Sequence, residues 1–273
     1  MTALTRYSTT LAGIAAVVIL LWSVPLSAQV PGPSGPKSDW DPTFSAKVDA
    51  IFEDLDRGRQ PGCVVAVEGP DQTFHRRGYG MADLEHAVPL TPRSIFHLGE
   101  LFDEELRTME LLLESEAPGS SFNPSLSEVT HTRFFDSLGM RATRFLWDET
   151  QPVTDRARGY LPPDAGAGFR YAAHPTPLSP PVAVTSVADL GNWLGTLLTE
   201  DPRSSHQSVG GLVTLHVADH WQGIRRADRA GHRLATLFLP HERLGIVVAC
   251  NRTDLDPLQK AEKVLEAVRT FPI

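Results

Sequence analysis

Apolar positions along the chain change period several times, and each change marks an element. Val48, Ile51, Phe52 and Leu55 recur at intervals of three and four, the spacing of an amphipathic helix that ends near Gly58. The run from Cys63 to Val67 is continuous, apolar and β-branched. Bounded by Pro61-Gly62 and Gly69-Pro70, it predicts a buried strand, with Phe74 to Gly78 returning as its hairpin partner. Near the C-terminus, Leu234 to Leu239 and Ile246 to Ala249 flank the turn residues Pro240-His241-Glu242-Arg243, a second strand pair. A last helix runs from Pro257 to about Arg269. Asp256 is placed to cap it, and proline stands at the first helical position, where a missing N–H costs nothing. No internal repeat or long low-complexity segment interrupts the series.

A further helix is predicted from about Glu100. Phe102, Leu106, Met109 and Leu113 form one apolar stripe, and Asp103, Arg107, Glu110 and Glu114 occupy the other side, so this helix is half-solvated. Glu100, Asp103, Glu104 and Glu105 crowd its first turn. Acidic residues there complement the positive end of the helix macrodipole, and a carboxylate acid/base cluster is the alternative reading.

The chain ahead of the first helix has no packing capacity. Leu11 to Leu21 is an apolar run behind the lone basic residue Arg6, and Leu26-Ser27-Ala28 offers small residues for cleavage, so residues 1–28 read as a secretory signal peptide. The run is shorter than the roughly twenty residues of a membrane span. An uncleaved anchor is the alternative and would be the chain's attachment to a membrane. Residues 29–41, with Pro31-Gly32-Pro33-Ser34-Gly35-Pro36, read as a linker, and residues 42–273 as one domain. The expected location is therefore the periplasm or the extracellular space.

Composition changes this picture little. Hydrophobic residues make up 41% and aromatics 8%, as in an ordinary globular protein. The formal charge is −8, and no basic run interleaved with aromatics occurs, which argues against nucleic acid as a partner. His216 and His220 have the i, i+4 spacing of a ligand pair with Asp219 between them. They lack a third ligand and read as surface histidines, so no metal and no cofactor is expected. Ser120 and Ser121 follow Pro118-Gly119 and read as turn residues, while Ser186 with Asp189 reads as a capping box. Asn251-Arg252-Thr253 has the form of a glycosylation acceptor, meaningful in a host that glycosylates exported proteins.

Eight short pieces stand in an order that resembles one family. They are Pro61-Gly62-Cys63-Val64-Val65-Ala66-Val67; Gly78-Tyr79-Gly80-Met81-Ala82-Asp83-Leu84; and Thr91-Pro92 with Phe96 and Gly99. Further on come Pro118-Gly119-Ser120-Ser121-Phe122, Leu138-Gly139-Met140 with Thr143, and Arg156-Ala157-Arg158-Gly159-Tyr160. Last are Thr185-Ser186 with Asp189-Leu190 and Trp193, then Leu239-Pro240 with Leu244-Gly245-Ile246-Val247-Val248 and Asn251. Together they resemble the β-lactamase-related serine hydrolases: class C β-lactamases, penicillin-binding proteins and esterase-like relatives.

The resemblance implies an α+β fold of the β-lactamase/transpeptidase type, an antiparallel sheet flanked by N- and C-terminal helices. It also implies where catalytic groups should stand, and there the chain departs from the family. Phe-x-x-Gly should lead into Ser-x-x-Lys, but Glu100 stands in the Ser frame and Asp103 in the Lys frame. Neither group can do the work of the one it replaces, since a carboxylate is not the acylated hydroxyl and Asp is not the activating amine. The Tyr-x-Asn frame reads Pro124-Ser125-Leu126, and Arg225-Arg226-Ala227 stands where Lys-Thr-Gly or His-x-Gly is sought. Glu100 and Pro124 are also too close in sequence for the family's helical subdomain, so that subdomain is expected to be largely missing, the truncation falling between about 113 and 118.

The implied function is an inactive hydrolase-like protein that binds a peptidoglycan-derived or small peptide-like ligand. The alternative is a residual serine hydrolase, of β-lactamase, carboxypeptidase or esterase type, with a displaced nucleophile. Finally, the resemblance makes the strands bearing Cys63 and Cys250 antiparallel neighbours. A disulfide between them, with Cα atoms about 4.4 to 6.8 Å apart, is one outcome, and two buried unpaired thiols the other.

Overall fold

A computed structural model describes residues 41–98, 131, 135–136, 138–146, 151–164, 168–172, 182–199 and 223–271, the last including 223–229 as backbone. The predicted leader, the linker up to residue 40, the helix at Glu100 and His216 and His220 lie outside the described residues, while Asp41, the last linker position, caps the first helix.

Asp41 opens the first helix, α1 (Pro42–Asp56), by accepting from the Thr43 and Phe44 amides, and Phe44, Val48, Phe52 and Leu55 are its buried face. The strands β1 (Cys63–Glu68) and β2 (Thr73–Tyr79) form the expected hairpin. Three further strands, β10 (Gly223–Arg229), β11 (His232–Leu239) and β12 (Leu244–Cys250), complete an antiparallel sheet ordered β10-β11-β12-β1-β2. The C-terminal helix, here α3 (Pro257–Val268), is capped by Asp256, whose carboxylate accepts from the Leu258 and Gln259 amides.

Every residue of β1 and of β12 is buried, because both sheet faces are covered. Alternation sorts their side chains into two cores. Cys63, Val65, Val67, Ile246 and Val248 pack against α1 and α3. Val64, Ala66, Val247 and Ala249 pack on the opposite face with Val187, Leu190, Trp193 and Leu194 of α2 (Val187–Thr199). Each Val, Ile or Leu side chain among them withdrawn from water contributes about 1.5–3 kcal/mol, so the central strand pair is where the sheet gains most. Among the described residues the α-helices are these three, and no helix is long and apolar enough to cross a membrane.

A second sheet stands beside the first. Its strands are β5 (Ile95–His97), β9 (Val182–Ser186) and β6 (Arg144–Leu146), with β9 central. Strand β9 runs directly into α2. Ser186 Oγ accepts from the Asp189 N–H at 3.1 Å, the first half of the expected capping box. The second half differs, because Asp189 turns away from the helix end. Its Oδ2 accepts from the Ala142 amide, the Thr143 amide and the Thr143 hydroxyl, each at 2.8 Å, and so fixes the entry to β6.

Asn251 corrects the glycosylation reading. The side chain is completely buried, with Oδ1 accepting from the Gly62 amide at 2.8 Å and Nδ2 donating to the Met81 and Arg158 carbonyls at 3.0 and 2.9 Å. No atom of the amide is left for a glycan. A triplet in sequence cannot reveal this, since burial of its Asn is decided by distant segments.

Cys63 and Cys250 are directly opposed in the β1–β12 ladder and joined as a disulfide, with Cα atoms 4.0 Å apart. That is closer than the span expected from the sequence. The Asn251 amide donates to the Gly62 carbonyl at 3.0 Å, making Gly62 and Asn251 a hydrogen-bonded pair and the next pair, Cys63 and Cys250, a non-hydrogen-bonded one. Such pairs approach most closely in an antiparallel ladder, at about 4.5 Å. Because the bond closes most of the domain into a loop, reducing it or replacing both cysteines by Ala is expected to lower the unfolding free energy by about 2–4 kcal/mol. Denaturant titration with and without reductant measures this, and coincident curves would show that the bond contributes no stability.

A polar chain ties α1 to β2. The Tyr79 hydroxyl donates to Asp49 Oδ1 at 2.6 Å, so it accepts from His75 Nε2 at 2.9 Å, and Asp49 Oδ2 accepts from Arg77 at 2.9 Å. Burial holds the His75 imidazole down at about 4, with Asp49 opposing and Arg77 assisting. The unfolded chain therefore binds the proton near pH 6.5, the folded chain only near 4. Stability attributable to His75 is complete above pH 6.5 and declines as pH falls toward 4, by about 3 kcal/mol. His75→Phe should show a shallower decline over that window than the wild type in chemical denaturation at stepped pH, whereas parallel curves would contradict the assignment.

Candidate functional site

The sequence Met81-Ala82-Asp83-Leu84-Glu85-His86-Ala87 turns sharply between β3 (Met81–Asp83) and β4 (Val88–Pro89), with Ala87 in the left-handed region at φ 55°. Asp83 makes that turn. Its Oδ1 accepts from the Glu85 and His86 amides at 2.8 and 3.1 Å, a side chain standing in for backbone. Its Oδ2 accepts from His86 Nδ1–H and Arg158 Nε–H, both at 2.9 Å. Partial desolvation disfavours the charge, but the donors from His86, Arg158 and Glu85 outweigh it and hold the carboxyl down at about 2.

Arg158 arrives on an extended segment that is hydrogen-bonded along its length. The Ala157, Arg158 and Tyr160 amides donate to the carbonyls of Ile95, Ala82 and Asn251, each at 2.9 Å. Tyr160 opens β7 (Tyr160–Leu161), which pairs with β8 (Arg170–Tyr171), and the pairing brings Tyr171 beside Tyr160. The Arg158 guanidinium lies over the Tyr171 ring at 4.9 Å, and the Tyr171 hydroxyl donates to Glu85 at 2.9 Å. Desolvation and that acceptor push the Tyr171 phenol up to about 12, so it stays protonated.

The other wall is built by two histidines. His97 ends β5 and His232 begins β11; both are buried, and their rings stack 5.3 Å apart. His232 Nδ1 accepts from the His97 amide at 3.2 Å, so in the neutral ring Nε2 carries the proton, which faces the Ala157 carbonyl at 3.1 Å. His232 thus clamps β5 and the 156–160 segment to the large sheet. These residues border a cleft of about 500 Å³, lined by Arg156, Arg158, Tyr171, His97 and His232 and by the small residues Ala157, Gly159, Ala172 and Ala230 among others. Asp83, Glu85 and His86 also converge closely enough to contact a metal ion. Asp83 already accepts from four donors, and a cation there would have to displace Arg158.

Structure and sequence meet only in part at this site. Glu100, Asp103, Pro124 and Leu126, like Ser120 and Ser121, lie outside the described residues. Residues 225–227 lie on β10, the edge of the large sheet, opposite Thr236, Ala235 and Leu234 of β11. Asp83, His97, Arg156, Arg158, Tyr171 and His232 were not singled out from the sequence as functional residues. A signal for two of them was available: Arg156 and Arg158 are two apart in a segment without helical spacing, which puts both on one side of an extended chain.

The geometry has known counterparts. No protein-family model matches the sequence, and no curated protein does. Solved structures do match. D-amino acid amidase from Ochrobactrum anthropi SV3 superposes with a TM-score of 0.61 at 15% identity, over 84% of this chain and 99% of that one. D-alanine carboxypeptidase AmpC from Burkholderia cenocepacia gives 0.58 at 12% identity, over 83% and 99%. The octameric penicillin-binding protein homologue from Pyrococcus abyssi gives 0.57 at 12%, over 84% and 77%. The chain has the fold of the β-lactamase and penicillin-binding-protein type of serine hydrolase. At these identities the likeness is one of fold.

One glycine limits how the cleft can be rebuilt. A Cβ on Gly159 would stand 1.9 Å from the Ala230 carbonyl oxygen, whereas one on Gly168 would meet nothing within 4 Å. Gly159→Ala should cost about 1–3 kcal/mol through overpacking, and Gly168→Ala should stay within about 0.5 kcal/mol of the wild type. Urea midpoints of the two variants decide it, and an unperturbed Gly159→Ala would mean that the hairpin tip at Ala230 yields freely.

Proposed function

We propose that this chain is an exported protein of β-lactamase-like fold that has lost serine-hydrolase chemistry and retains binding of a peptidoglycan-derived or small peptide-like ligand. The observation that carries the reading is chemical. Glu100 and Asp103 stand where the resemblance calls for the nucleophilic Ser and its activating Lys, and Pro124 where it calls for Tyr. A hydroxyl is acylated only when a base takes its proton, and the substitutions remove hydroxyl and base together. What supports the frame is that Phe96 lies on β5, which pairs with β9 and is tied to His232 through the His97 amide. Export is supported by the leader-like N-terminus and by the Cys63–Cys250 disulfide, a bond that persists in oxidising compartments.

Incubation of residues 29–273 with benzylpenicillin, and separately with a fluorophosphonate probe, should leave the intact mass unchanged. A stoichiometric mass increase located on any serine would overturn the reading and establish a displaced nucleophile.

A further inference from the structure

Past Cys250 the chain leaves the large sheet as Asn251-Arg252-Thr253, and this short tail is the rail on which the cleft segment lies. Asn251 Nδ2 donates to the Arg158 carbonyl at 2.9 Å, the Tyr160 amide to the Asn251 carbonyl at 2.9 Å, and the Thr253 amide to the Tyr160 carbonyl at 3.1 Å. Tyr160 and Arg252 form a parallel bridge there. Residues 156–159 line the cleft, so where the rail goes, that wall follows.

The rail is thinly held. Registered pairing of β12 ends at Cys250 on both sides, opposite Cys63 of β1 and Arg233 of β11. Among the described residues, one backbone bond ties the next position to the sheet, from the Asn251 amide to the Gly62 carbonyl at 3.0 Å. Side chains do the rest: Asn251 Oδ1 accepts from the Gly62 amide, Arg233 donates to the Thr253 and Leu255 carbonyls, and Arg252 donates to Gln60. Pro61, next along on the β1 side, has no N–H to offer. A strand end with so few backbone bonds opens more readily than the ladder behind it. The Cys63–Cys250 bond stands on the last rung, joining positions 187 residues apart and closing covalently the end that the ladder leaves open.

We propose that this disulfide is a redox-dependent latch on the cleft. With the bond formed, residues 156–160 are held on the rail; with two thiols, the end of β12 opens and the segment loosens while both sheets stay folded. Releasing the latch takes two electrons and two protons from a dithiol, which becomes a disulfide as Cys63 and Cys250 become thiols. Both cysteines are completely buried, so a dithiol reaches them only through such an opening, and the closed state persists once formed. The cleft is thereby completed in an oxidising compartment. The latch uses none of positions 100, 103, 124 or 126 and holds whatever ligand the cleft takes.

Amide hydrogen exchange of ¹⁵N-labelled residues 29–273 tests it, with Cys63→Ala/Cys250→Ala standing in for the thiol state. Protection of the Arg158, Tyr160 and Thr253 amides should fall about tenfold or more. The Leu98 and Thr143 amides, bonded to Ala183 and Asp189 in the second sheet and away from the rail, should stay within about twofold. Cys63→Val/Cys250→Ala restores part of the lost volume and repeats the comparison if the first variant does not fold. The proposal is overturned if Arg158, Tyr160 and Thr253 keep their protection. It is equally overturned if Leu98 and Thr143 lose as much, or if neither variant folds, since the bond would then hold the whole domain and not the cleft.

Discussion

The carboxamide of Asn251 is the point on which the arrangement depends. It lies just past the end of β12, completely buried, and reaches three separate parts of the chain: the approach to β1 through Gly62, the start of β3 through Met81, and the cleft segment through Arg158. Its own backbone carbonyl receives the Tyr160 amide. A buried amide is costly unless all its hydrogen bonds are made, so each of the three segments has to arrive at a set distance and orientation. The large sheet and the cleft are thereby placed in one frame of reference, with the Cys63–Cys250 bond one residue away on the same strand pair.

Electrostatics in this structure follows burial. Where the chain has room for water, as around Arg57 and Glu53, pairs of opposite charge are exposed and contribute little. Where it does not, the carboxylates of Glu68 and Asp83 come with several donors each. Glu68 is almost fully buried beneath α2; desolvation pushes its carboxyl up, while Arg76 through two nitrogens and the Thr73 hydroxyl oppose that rise. The pair fits under the helix because Gly191 has no Cβ, which would stand 2.5 Å from the Glu68 oxygen. Asp83 is the counterpart at the cleft, with four donors that keep it charged and leave part of the Arg158 fork unspent.

A fold of this type separates what holds it together from what its relatives do with it. The sheet, its two cores and the helices on either face depend on β1, β12, α1, α2 and α3, none of which carries positions 100, 103, 124 or 126. Likeness to an amidase and a carboxypeptidase is then evidence about the scaffold, while chemistry has to be argued from the side chains present.

The sequence by itself determined the elements whose cause is local. Helical spacing from Val48 to Leu55, the apolar run from Cys63, the cap at Asp256 and the turn at Pro240 each contain their own physical reason, and the described elements follow them closely. It also set Glu100 and Asp103 in the frames where the resemblance calls for Ser and Lys, an expectation that rests on residue identity and that resemblance. Tertiary structure decided the rest. Asn251 is a surface acceptor by its triplet and a buried junction by its neighbours. Asp189 is a capping-box acid by its spacing and a clamp on Thr143 in space. The cleft was not legible because Asp83, His97, Arg158, Tyr171 and His232 come from five segments, and no periodicity links residues whose only relation is that folding puts them around one void.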